Sequence, residues 1–302
     1  MQKILIAGTG GVGGYVGAQL IRHAGAGVAF LARGEHLKAI RTRGLTIRDN
    51  DEYYTVHPTA ATDDPASLGA FDLIIVSVKA TALESTLEQI APNVTPRTIL
   101  LPLLNGVEHN LTIQRYFPEA TVLDGHLYIL SNLTSPGTLR RRGSVFRIVW
   151  GSPEEMAPAV VEAVTTLFDA AQIRHKLSDN IQLASWRKYL FIASFATLTS
   201  RYAQPMDRIL TDHTDELQAL MQEILTLANA KAIPLTQEDI TTALTQASKV
   251  APGAKTSLQL DIEAGKPAEI DALCGYVVRE GRRLNVRVPE MQEMHQQLKK
   301  ML

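Results

Sequence analysis

Apolar and polar positions change their rhythm midway along the chain. In the first half, short apolar runs alternate with longer amphipathic stretches. Gln2–Ala7 reads as a strand, followed by Gly8-Thr-Gly10-Gly11-Val12-Gly13-Gly14 and a helical stretch Tyr15–His23. Gly27–Ala32 is a second strand, and residues 44–48 and 53–57 flank an Asp49-Asn50-Asp51 turn. Phe71–Val78, Arg97–Leu104 and Thr121–Tyr128 are further strands, with helices over 80–90 and up to Tyr116 between them. Ser135-Pro136-Gly137 marks a turn, and Arg140–Arg142 reads as a solvated basic loop. Phe146–Trp150, a helix over 157–171 and a short strand Ile173–Lys176 complete this half. Alternating strands and helices predict a Rossmann-type, doubly wound α/β domain over residues 1–178.

From Asn180 the strand signals nearly vanish. Tyr189–Leu198 is apolar around almost its whole circumference, interrupted by Ser194 and Thr197. Such a helix lies inside a bundle. Helices are predicted at about 215–231, 236–250, 255–264, from Pro267 and over 289–302, so residues 179–302 read as an all-α domain. In the Pro267 helix, Ile270, Leu273, Cys274, Val277 and Val278 form a helical stripe, which makes Cys274 a core residue rather than a nucleophile.

Composition narrows the function classes. The 302 residues are 45% hydrophobic and 20% charged, the composition of a folded globular chain. A net charge of -1, from 30 basic and 31 acidic residues, argues against nucleic-acid binding. The single cysteine excludes an intramolecular disulfide, and the eight histidines form no close metal pair, so no metal is expected. Neither a signal-peptide layout nor a membrane-length apolar run is seen, and a cytoplasmic location is the expectation. The helical domain could bury a face in a homodimer, which the sequence leaves open.

Chemistry concentrates at a few positions. The G-x-G-x-x-G loop between a strand and a helix is a dinucleotide fingerprint: Gly8 allows a tight turn, Gly10 a close approach of pyrophosphate, Gly13 close helix packing. An NAD enzyme usually places Asp or Glu at the end of the second strand; here stand Ala32 and Arg33. Arg33 can bond a 2′-phosphate, which predicts NADPH, or it is a surface arginine at a helix start. Lys79 and Asn105 follow strand ends, where ligands of open α/β sheets bind, although a helix-start lysine and an Asn-Gly turn explain them equally. Lys188 stands at the lip of the apolar helix, either as a desolvated lysine suited to general acid work or as one that snorkels to water. Glu269 falls in the first turn of the Pro267 helix, where the helix dipole alone favours a carboxylate.

Taken together, GTGGVGG, Leu31-Ala-Arg33-Gly34, Val78-Lys79-Ala80, Leu104-Asn105-Gly106-Val107, Trp186-Arg187-Lys188 and Thr256-Ser257-Leu258-Gln-Leu-Asp261-Ile, followed by Ala268-Glu269-Ile270-Asp271, resemble the ketopantoate reductase (2-dehydropantoate 2-reductase) family over nearly the whole chain. The resemblance implies NADPH-dependent reduction of a 2-keto acid to a 2-hydroxy acid: ketopantoate to pantoate, in pantothenate biosynthesis, or a related keto acid. It implies Lys188 as proton donor and Glu269 beside the reacting centre. Gly8, Gly10, Gly11, Val12, Gly13, Arg33, Lys79 and Asn105 would bind cofactor, and Lys79, Asn105 and Ser257 substrate. Family members carry asparagines where this chain has Ile192, Ala196 and Ala254. That departure predicts a more apolar pocket, with Thr197, Thr199 or Lys255 as candidates for replacement contacts. A related hydroxy-acid or imino-acid reductase and a non-catalytic NADPH-binding regulator are the alternatives.

Overall fold

Apolar runs of four or five residues become strands buried on both faces. The computed structural model describes residues 1–301. In the first half the chain runs β1 (Lys3–Ala7), α1 (Gly11–Gln19), β2 (Gly27–Leu31), α2 (Gly34–Arg43), β3 (Leu45–Asp49), β4 (Glu52–Val56), β5 (Ala60–Thr62), β6 (Leu73–Val76), α3 (Leu83–Ile90), β7 (Ile99–Pro102), α4 (His109–Tyr116), β8 (Thr121–Val122), β9 (Asp124–Ser135), β10 (Thr138–Gly151), α5 (Pro158–Ala170) and β11 (His175–Leu177). Six strands make a parallel sheet in the order β5-β2-β1-β6-β7-β8. Chain direction across the sheet reverses between β1 and β6, the place where doubly wound sheets open a ligand crevice.

Both faces of that sheet are covered. Leu5 and Ala7 of β1 join Leu83, Leu87 and Ile90 of α3 in one core. Ile4 and Ile6 point the other way, into a core with Val16 of α1 and Phe168 of α5. Alternation within a continuous apolar run is what a doubly covered parallel strand requires.

A second sheet of five strands, β3, β4, β9, β10 and β11, was not predicted. The sequence reading ends one strand at Tyr128 and starts the next at Phe146, but β9 and β10 continue as a long hairpin. Its outer half is mostly exposed on both faces and so carries no apolar alternation to read. The basic run is accordingly strand, not loop. Arg141 is paired with β3 through Asp49 at 2.8 Å, and Asp49 also accepts from Tyr15 at 2.6 Å.

The second half holds α6 (Ile181–Tyr202), α7 (Met206–Asp212), α8 (Thr214–Ala230), α9 (Gln237–Ala247), α10 (Ser257–Glu263), α11 (Tyr276–Arg283) and α12 (Pro289–Lys299). Leu190, Ala193, Phe195 and Leu198 of α6 are fully buried, as are Ser194 and Thr197. The stripe Ile270, Leu273, Cys274, Val277 and Val278 is buried as predicted, and burial pushes the Cys274 thiol up to about 12. Two local readings are corrected. Lys188 lies within a 22-residue helix rather than at its lip, because Ile181 and Leu183 pack well before the apolar run begins. Pro267–Glu269 is not helical; the stripe opens with a π turn, Asp271–Gly275, closed by Gly275 N–H donating to the Ile270 carbonyl at 3.0 Å. Glu269 thus stands just before the helical run, its carbonyl accepting from Leu273 N–H at 3.2 Å, and the helix dipole still favours a carboxylate there.

Two compact units result. One comprises Met1–Leu104 and Glu108–Ile181; the other takes the chain from Gln182 onward together with the short segment Asn105–Val107.

Candidate active site

The glycine loop follows β1 directly. Gly8 has φ 103°, and a Cβ there would stand 2.8 Å from the Val78 backbone nitrogen, so only glycine fits the turn. At Gly13 a Cβ would meet the Gly8 carbonyl at 2.2 Å and Ser77 Oγ at 2.0 Å, which brings α1 hard against the loop and the end of β6. Gly10 by contrast has no protein atom within 4 Å of its Cβ direction. A tight turn, an open backbone face and a helix start whose first N–H groups lack helical carbonyls fit a dinucleotide pyrophosphate.

Side chains lock this loop. Thr9 Oγ1 donates to the Leu31 carbonyl at 3.0 Å, and Ser77 Oγ to the Gly8 carbonyl at 2.8 Å. His36 is a further anchor that the sequence reading missed. Gly137 N–H donates to its Nδ1 at 2.9 Å, which leaves the proton on Nε2 to donate to the Thr9 carbonyl at 2.8 Å. Burial holds its pKa below the usual histidine value and favours this neutral form. A histidine at a helix start carries no pattern that would reveal such a role. Gly11 has an unforeseen reason as well: a Cβ there would stand 2.4 Å from the Ser131 carbonyl of β9.

Arg33 lies two residues past the end of β2 as the N-cap of α2, with an exposed side chain. Its Nη2 donates to Gln89 Oε1 at 2.8 Å, a neutral partner that orients the guanidinium and leaves its charge unspent. Lys79 follows Val78, the residue packed on Gly8, and leads into a short 3-10 turn over Ala80–Ala82. These groups all belong to the α/β unit.

The helical unit gathers a second group. Lys188 Nζ donates to Asn105 Oδ1 at 3.0 Å, joining residues 83 apart in sequence. Burial lowers the Lys188 pKa to about 8, and the negative charge of Glu269 opposes that fall. Lysine, amide and carboxylate thus meet in one site, with the ammonium destabilised enough to release its proton near neutral pH. Arg187 points elsewhere, to Asp239 at 2.7 Å.

Ser257 makes no hydrogen bond to Lys188, Asn105 or Glu269. It is the exposed first residue of α10, whose N-cap Thr256 meets Thr199 of α6, Oγ1 to Oγ1, at 2.7 Å. Helical spacing puts Lys188, Ile192, Ala196 and Thr199 on one face of α6. Ile192 is half-buried and Ala196 buried, so the stretch between Lys188 and the α10 cap is apolar. Thr197 is fully buried on the opposite face, Thr199 is engaged by Thr256, and Lys255 pairs with Glu263 at 2.8 Å. Ala254 offers no polar side chain; its carbonyl accepts from Met206 N–H at 2.9 Å and its N–H donates to the Ala251 carbonyl at 3.2 Å. Among the described residues no group of three or more His, Cys, Asp or Glu is placed to hold a metal ion.

Residues 4–155 match the family model of ketopantoate reductase PanE/ApbA, and residues 180–302 match the model of its C-terminal part. The chain belongs to the ketopantoate reductase family. It is 28% identical over 302 residues to the uncharacterized oxidoreductase YkpB of Bacillus subtilis, covering 98% of this chain and 97% of that one. A 2-dehydropantoate 2-reductase of Nostoc is 25% identical over 304 residues, covering 99% and 94%. Among solved structures, the PanE/ApbA family ketopantoate reductase from Ralstonia eutropha superposes with a TM-score of 0.90 at 28% identity, covering 99% and 98%. A D-mandelate dehydrogenase in a ternary structure with NADH and anilino(oxo)acetate shares the fold, with a TM-score of 0.91 at 22% identity over 99% and 98%. The chain is thus an oxidoreductase of the ketopantoate reductase family, with a Rossmann-type unit followed by a helical one. No helix among the described residues is long and apolar enough to cross a membrane.

Proposed function

We propose that the chain is an NADPH-dependent reductase of 2-keto acids, residues 1–178 binding cofactor and 179–302 providing catalysis and substrate recognition. The observation that carries this reading is the buried Lys188, hydrogen-bonded to Asn105 and under the charge of Glu269. Gly8, Gly10, Gly11, Val12 and Gly13 would hold the pyrophosphate, Arg33 the 2′-phosphate, and Lys79 and Asn105 the nicotinamide end. NADPH, when bound, supplies the hydride. Lys188 holds a proton at Nζ and gives it to the substrate carbonyl oxygen as negative charge develops there. Asn105 fixes the direction of the ammonium, and Glu269 keeps it charged near neutral pH. Ser257 and Lys79 offer donors to the substrate carboxylate.

The protonated form of Lys188 is the active acid, so kcat/KM for reduction is level at lower pH and falls as pH rises through about 8. A pH profile at saturating NADPH checks this; a level profile well above that pH contradicts the assignment.

The apolar face of Ile192 and Ala196 favours a keto acid without a side-chain hydroxyl. An unpaired buried hydroxyl costs about 1–3 kcal/mol, so 3,3-dimethyl-2-oxobutanoate, which is ketopantoate without its hydroxyl, should exceed ketopantoate in kcat/KM by about tenfold. Equal or better use of ketopantoate rejects the apolar pocket and assigns the chain to pantothenate biosynthesis. A cytoplasmic location and a homodimer belong to the same proposal and are checked by cell fractionation and by light scattering.

A further inference from the structure

Glu269 stands two residues before an irregular turn. Residues 266–269 are non-helical, and the Glu269 carbonyl accepts from Leu273 N–H at 3.2 Å. Leu273 lies inside the π turn Asp271–Gly275. A π turn is wider and less favourable than an α turn and persists where surrounding structure holds it. The turn that anchors the Glu269 carbonyl therefore needs contacts that hold it.

Tyr189 does so. It is the residue after Lys188, only 1% exposed, and its phenol donates to the Leu273 carbonyl, 84 residues away. Its ring packs edge-on against Tyr276, the first residue after the π turn, at 5.8 Å, and against Trp186 at 5.7 Å. Trp186 also contacts Tyr276, at 6.1 Å. Residues on either side of Lys188 thus grip the turn that follows Glu269. A phenol inside an aromatic cluster needs a partner for its hydroxyl, and the backbone carbonyl chosen lies in the one irregular turn at hand.

We propose that Tyr189 is a positioning residue for the Lys188–Glu269 pair, its hydroxyl fixing the π turn that carries Glu269 against the helix that carries Lys188. The proposal rests on the reading of Lys188 and Glu269 as catalytic groups. Tyr189 is buried and acts through the chain that carries Glu269.

A double-mutant cycle tests it on the full chain, with 3,3-dimethyl-2-oxobutanoate, 3-methyl-2-oxobutanoate, ketopantoate and phenylglyoxylate as substrates. Tyr189→Phe keeps the ring contacts and removes one hydrogen bond, so kcat should fall about three- to tenfold while NADPH affinity stays unchanged. In a Glu269→Gln background the same substitution should change kcat by less than about twofold, because the group it positions has lost its charge. An equal fold-loss in both backgrounds, or wild-type kcat with only a lowered Tm, overturns the proposal by making Tyr189 purely structural. Should Tyr189→Phe lower the folded fraction, kcat is taken per NADPH-binding site counted by fluorescence titration: a loss confined to the wild-type background supports the hydroxyl's role, and loss equal in both backgrounds rejects it. Wild-type protein that turns over none of the four substrates overturns the functional reading and this inference together. Turnover that Tyr189→Phe leaves intact overturns this inference alone.

Discussion

Replacing Lys188 with alanine should lower kcat by about 10²–10⁴ while NADPH affinity changes by less than about twofold, the loss expected when a general acid is removed. The split follows from how the site is assembled. Lys188 and its partner Asn105 belong to the helical unit, whereas the glycine loop, Arg33 and Lys79 belong to the α/β unit. Removing the amine therefore leaves the cofactor phosphates their donors. It also removes a buried cation that has a carboxylate for a neighbour. Steady-state kinetics with NADPH titrated by fluorescence separates the two effects. Unchanged kcat removes Lys188 from the chemistry; a parallel loss of cofactor affinity makes it a binding residue.

Replacing Arg33 with alanine should weaken NADPH binding about ten- to hundredfold and leave NADH binding nearly unchanged, given the strength of hydrogen bonds to charged groups. Arg33 lies just past the end of β2, where a carboxylate would select the unphosphorylated ribose. Its observed partner is the neutral amide of Gln89, at 2.8 Å, so no carboxylate competes with a phosphate for the guanidinium. An exposed site also makes the effect sensitive to ionic strength, largest at low salt. Equal losses for NADPH and NADH reject the 2′-phosphate role and point to a general weakening of the loop.

Much of this was legible in the sequence, for reasons that differ by region. The strands of the parallel sheet announce themselves because both their faces are buried, as the opposed cores beneath Ile4 and Leu5 show. The glycine loop is readable because sterics at Gly8 and Gly13 leave no other residue. The β9–β10 hairpin stays hidden because Ser131, Asn132, Thr134 and Arg142 are polar on strands with little to bury. Local propensity also misplaces Glu269: Pro267 reads as a helix start, but the chain closes a π turn instead, which no periodicity announces. His36 and Tyr189 act through backbone carbonyls far away in sequence, so only the fold reveals them. Lys188, Asn105 and Glu269 could be named one by one, but their meeting depends on Asn105–Val107 joining the helical unit. A net charge of -1 is compatible with anion binding when the cations are few and placed, as Arg33, Lys79 and Lys188 are.

Deuterium transfer from NADPH labelled at C4 of the nicotinamide tests the central claim most directly. Incubated with the four keto acids, the wild-type protein should give a 2-hydroxy acid bearing deuterium at C2, and the Lys188→Ala protein should give far less in the same time. Tight NADPH binding with no deuterium transferred to any of these acids would contradict the account and leave a protein that holds the cofactor without reducing a 2-keto acid.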